Sequence, residues 1–86
     1  MNPLDARFRR AHHARIRDWR ESYVRSLQRA QQQGQVAPDI DVGDAAQALV
    51  AQIEGILSLA RNSQDSDTLA VGARGLRRYL QWMGTP

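Results

Sequence analysis

The chain has 86 residues, no cysteine and a formal net charge of +3. A domain of this size buries only about two-thirds of its unfolded surface, so its core is thin, and the absence of cysteine excludes a disulfide framework or a thiolate metal site. No apolar run approaches the roughly 20 residues that span a bilayer, and the N-terminus lacks the order of a secretory signal, which makes the cytoplasm the expected location.

All twelve basic side chains are Arg, and they are unevenly spread. Residues 1–34 carry eight Arg against three acids, whereas residues 35–67 carry six acids against one Arg. That asymmetry bears on solubility and association rather than on fold.

Asn2-Pro3-Leu4-Asp5 reads as a helix start: an N-cap, a proline at the first helical position and an acid in the first turn. Apolar residues then recur at Leu4, Phe8, Ala11, Ile16, Trp19, Tyr23, Leu27 and Ala30, a helical spacing. Gly34 suits the residue just past the helix end, so the first helix is expected over about 3–33. The run Gln31-Gln32-Gln33 reads as ordinary helix-end polarity. Pro38 enforces a break, and Asp41 caps a second helix over about 42–62. Gln64-Asp65-Ser66-Asp67 forms another polar break. Asp65 or Ser66 then caps a third helix over about 67–83, stopped by Gly84 and Pro86. With no strand alternation and no repeat, residues 1–86 read as one all-α domain of three helices.

The second and third helices each carry two apolar strips on a wheel of about 100° per residue. In the second, Val42, Ala46, Leu49, Val50, Ile53, Leu57 and Ala60 form a main face, and Ala48, Gln52, Gly55 and Leu59 a second strip. In the third, the main face is Leu69, Ala73, Leu76, Leu80 and Met83, and the second strip is Gly72, Gly75, Tyr79 and Trp82. A glycine within a helix costs about 1 kcal/mol relative to alanine, which close approach of another helix would offset. Two copies packing these helices into a four-helix bundle would bury both second strips in a symmetric interface. The plainer alternative is a wider core within one chain.

The stretch from Ala30 through Gly34, Val36 and Pro38-Asp39-Ile40-Asp41, leading into Ala45-Ala46, Leu49, Ala51, Ile53-Glu54-Gly55, Leu57 and Leu59-Ala60-Arg61, is similar to the C-terminal region of TetR-family transcriptional regulators. It most resembles the LmrA/YxaF-like subgroup of repressors, with Trp19 fitting the Trp-bearing helix found there. The resemblance runs from about Ala11 to Leu80, and Ile53-Glu54-Gly55 with Leu59-Ala60-Arg61 is its most specific part. It implies a homodimer formed by the last two helices and a pocket for a hydrophobic small-molecule effector built partly by the helices before them. The family's helix-turn-helix has no counterpart in this sequence, so direct DNA binding by the chain alone is not expected. A helical interaction protein that forms mixed dimers with a full-length regulator is the alternative reading.

One face of the first helix mixes Phe8, Trp19 and Tyr23 with His12, Arg15 and Ser26. Pockets are mostly apolar with a few placed polar groups, so these six are candidate ligand-binding residues. The same face also suits cover by further helices, or a core edge that reaches water. His12-His13 makes a poor metal site, because adjacent helical residues point in different directions; no metal or cofactor is expected. No nucleophile turn or acid/base pair stands out, so no enzyme is expected. Arg7, Arg10 and Arg17 share an outer face, as a phosphate-binding stripe would, which keeps a weak basic nucleic-acid binder as a third reading. Against it, Asp5–Arg9 and Glu21–Arg25 have the spacing of a solvated helix face, and no aromatics interleave the stripe. The aromatics are expected to pack inward, so no membrane partner is expected.

Overall fold

The structure, a computed structural model, describes residues 2–84. It contains α1 (Pro3–Gln32), α2 (Val42–Ser63) and α3 (Ser66–Met83). Each start is capped by a side-chain oxygen. Asn2 accepts from the Leu4 amide at 2.8 Å, and Asp41 accepts from Gly43 and Asp44 at 2.9 and 3.1 Å. Asp65, rather than Ser66, caps α3 by accepting from Asp67 at 2.9 Å. These bonds satisfy amides that have no partner within the helix. α1 ends where Gly34 takes a positive φ of 77°, and α2 ends at Gln64 with φ 54°. Pro86, expected as part of the final stop, lies outside the described residues.

The three helices lie side by side in one layer with α2 in the middle. Their Cα atoms span 49 × 30 × 14 Å, so the assembly of helices is shallow relative to its length and breadth. Both outer helices pack on α2, while no Cα of α1 comes within 8 Å of a Cα of α3. Leu27 of α1, Ala45, Ala46 and Leu49 of α2 and Met83 of α3 form the core together with Val36 of the connector. Ala45 and Ala46 are small enough to let α1 and α3 approach the N-terminal half of α2. Met83 is 1% exposed. Full burial of such a side chain contributes about 1.5–3 kcal/mol.

The connector is tied down at two points. Gln31 is not ordinary helix-end polarity: its Nε2 donates to the carbonyls of Ala37 and Ile40 at 2.9 and 3.0 Å. The backbone amide of Ala37 donates to the Met83 carbonyl at 2.9 Å, and Val36 forms an isolated antiparallel bridge with Gly84. The end of α3 is thereby latched to the α1–α2 connector. The other end of α1 projects beyond its neighbours: between Pro3 and Arg15 no residue is buried, and Phe8 is 68% exposed.

The inner face of α3 differs from the expected one. Thr68, Gly72, Leu76, Tyr79 and Met83, a continuous helical stripe, are the residues that lose exposure. Gly72, expected on the outer strip, lies against Ile56 of α2, whose Cγ1 would sit 2.5 Å from a β-carbon at position 72. Tyr79, also expected outside, packs on the core cluster. Leu69, Ala73 and Leu80, expected to face inward, remain exposed. The apolar arc of α3 is wider than one contact needs, and the missing side chain at Gly72 sets which part of it turns toward α2.

Candidate functional site

A single layer of helices has two broad sides. On one, apolar grooves run between the helices. Tyr23, Ser26 and Leu27 of α1, Leu49 and Ile53 of α2, and Leu76 and Leu80 of α3 line a groove of about 310 Å³. It continues into a second groove of about 280 Å³ lined by Ile53, Ile56, Leu57, Leu69, Ala73 and Leu76. Of the six candidate ligand residues on α1, this groove takes up two, Tyr23 and Ser26. Trp19 is half-buried, while Phe8, His12 and Arg15 lie on the exposed part of the helix. The six share one helical stripe, but the layer brings only its C-terminal end against the other helices.

The other side carries most of the notched strip. At about 100° per residue, Val71, Gly75 and Trp82 lie on the flank of α3 opposite Leu69, Ala73 and Leu80. Ala48, Gln52, Gly55 and Leu59 form the matching strip of α2. A β-carbon built on Gly55 or Gly75 meets no atom within 4 Å. Around these notches Leu59, Val71 and Trp82 are 61%, 58% and 68% exposed. The Trp82 ring stacks on Tyr79 with centroids 5.8 Å apart and planes inclined by 28°, so the exposed indole is braced against a residue that reaches the core. Gly72 does not join this surface, because Ile56 of the same chain occupies its notch.

The chain matches the family described as tetracyclin repressor-like, C-terminal domain, over residues 1–76. It belongs to that family. No curated protein and no solved structure matches the chain. The tetracyclin repressor-like assignment fits the all-helical layer and places the domain among those of transcriptional regulators. Among the described residues of this TetR-like domain, no group of three or more His, Cys, Asp or Glu is arranged to hold a metal ion. No described helix is long and apolar enough to cross a membrane.

One feature of the TetR-like domain escaped the sequence reading. Arg17, expected on an outer stripe with Arg7 and Arg10, lines a cleft between α1 and α2 together with His13, Ile16, Arg20, Gln47 and Val50. The i, i+3, i+4, i+7 spacing of His13, Ile16, Arg17 and Arg20 marks a common face. Nothing in their residue types says that this face turns toward α2.

Proposed function

We propose that the chain is the dimerising, effector-sensing domain of a TetR-type repressor, acting in the cytoplasm. Ile53-Glu54-Gly55 and Leu59-Ala60-Arg61 support the finer placement in the LmrA/YxaF-like subgroup. The observation that carries the reading is the side of α2 and α3 where Gly55 and Gly75 leave open notches between exposed Leu59, Val71 and Trp82. A second copy of the same surface, related by a two-fold axis, brings helix to helix at those notches and buries Ala48, Gln52 and Tyr79 at their edges. The apolar groove on the other side, with Tyr23 and Ser26 at its rim, is the surface we assign to a hydrophobic effector. Its lining of aliphatic side chains with two hydroxyl groups matches the usual make-up of ligand sites.

Light scattering on the purified chain at micromolar concentration tests the pairing. The expected mass is twice that of one chain, and Gly55→Leu is expected to move it toward one chain while circular dichroism still reports a helical protein. A wild-type chain of single mass would refute the pairing.

A further inference from the structure

A separate concavity lies between α1 and α2 near the middle of α1. It has a volume of about 360 Å³ and is lined by His13, Ile16, Arg17, Arg20, Gln47 and Val50. That volume lies within the range of small-molecule sites, roughly 300–1,000 Å³. None of these residues belongs to the paired-helix surface or to the groove assigned to the effector, so the site stands independently of that reading.

The lining is divided by chemistry. Val50 is buried and Ile16 half-buried, giving an aliphatic floor, while Arg17, Arg20 and His13 are exposed around it. Gln47 supplies an amide from the α2 side. No carboxylate lines the cleft, and Glu54, two turns beyond Gln47 on α2, is not among its walls. Neither Arg17 nor Arg20 has an ion pair or side-chain hydrogen bond among the described residues. Two guanidinium forks without a counter-charge, set over an aliphatic floor, select a molecule with an anionic head and an apolar tail. The planar fork matches the paired oxygens of a carboxylate. A single-stranded nucleic acid would call for aromatic platforms that the cleft lacks. A cationic or neutral lipid would leave the arginines without a partner.

We infer that this cleft binds a small amphiphilic carboxylate, with Arg17 and Arg20 holding the head group and Ile16 and Val50 covering the chain. Calorimetry with octanoate, 1-octanol and octylammonium, each below its aggregation limit, tests it on the full chain. Octanoate is expected to bind once per chain, with the other two at least about tenfold weaker. Arg17→Gln with Arg20→Gln is expected to weaken octanoate about tenfold with unchanged helical content, because both side chains are exposed. Arg17→Lys with Arg20→Lys is expected to recover part of the affinity. Ser26→Arg, which obstructs the apolar groove on α1, is expected to leave octanoate binding intact. The proposal fails if octanoate does not bind, if octanol binds equally well, if the double Gln variant keeps its affinity, or if Ser26→Arg removes binding.

Discussion

Ile56 fills the space that a β-carbon at Gly72 would need: its Cγ1, Cδ1 and Cγ2 would lie 2.5, 3.0 and 3.0 Å from that atom. Two of these are branch atoms on the isoleucine β-carbon, whose χ1 strongly prefers one rotamer in a helix, so they swing aside only at a rotamer cost or with a shift of α2. Gly72→Ala gains about 1 kcal/mol of helix propensity but meets an overpacking cost of about 1–3 kcal/mol. The expected result is a lower urea midpoint. Ile56→Ala in the same chain removes the clash, so the double variant is expected to lose less than the sum of the singles. A strictly additive cycle would mean that Ile56 yields at no cost.

Gly55 and Gly75 are expected to behave oppositely to Gly72. Within one chain their β-carbons enter open space, so Gly55→Ala and Gly75→Ala would each add about 1 kcal/mol from propensity alone. Where a second copy presses on these positions, the methyl groups hold the helices apart instead. Thermal melts over a hundredfold range of protein concentration separate the two cases. For the pair, the variants are expected to melt lower and to dissociate at higher concentration. Higher melting at every concentration would show that nothing packs there.

Gln31→Leu keeps the side chain's bulk and loses both hydrogen bonds to the connector carbonyls. The expected cost is about 1–3 kcal/mol, with faster amide exchange in the connector. Gln31→Glu is expected to cost more, because an ionised carboxylate has no proton to donate and faces the oxygens of Ala37 and Ile40. Equal unfolding midpoints for wild type and Gln31→Leu would reduce the Gln31 contacts to incidental ones.

The two left-handed helix ends give another matched pair. Gly34 holds φ 77° and Gln64 holds φ 54°. A side chain in that region costs roughly 1–2 kcal/mol, so Gly34→Ala is expected to destabilise. Gln64→Gly is expected to stabilise by relieving strain, less the greater freedom glycine has when unfolded. Chemical denaturation reads both, and a destabilising Gln64→Gly would show that its side chain contributes more than its backbone strain costs.

The three helices were legible because their ends are marked by local chemistry. Asn2, Asp41 and Asp65 supply the caps, Gly34 the left-handed end and Pro38 the break, and each acts within a few residues. Which way α3 turns was not legible. Leu69, Leu76, Leu80 and Met83 are alike as apolar residues, and a wheel shows how wide their arc is, not its contact line. That line depends on Ile56 meeting Gly72 across two helices. Val36 and Gln31 were missed for a related reason: their partners, Gly84 and the carbonyls of Ala37 and Ile40, are set by how the connector folds back. On α1, helical periodicity aligned the six candidate ligand residues. It carried no information on where α2 and α3 stop alongside them, which leaves Phe8, His12 and Arg15 beyond the groove.

A layer whose Cα atoms span only 14 Å in depth leaves little room to enclose a guest completely. Whatever such a slab holds keeps one flank turned outward, toward solvent or toward another polypeptide. Where a neighbour covers that flank, the guest's hold and the neighbour's grip become a shared free energy, each strengthening or weakening the other by an equal factor. If the proposed pairing and effector binding both hold, the thinness of this fold would itself link small-molecule occupancy to assembly, without any hinge or lid.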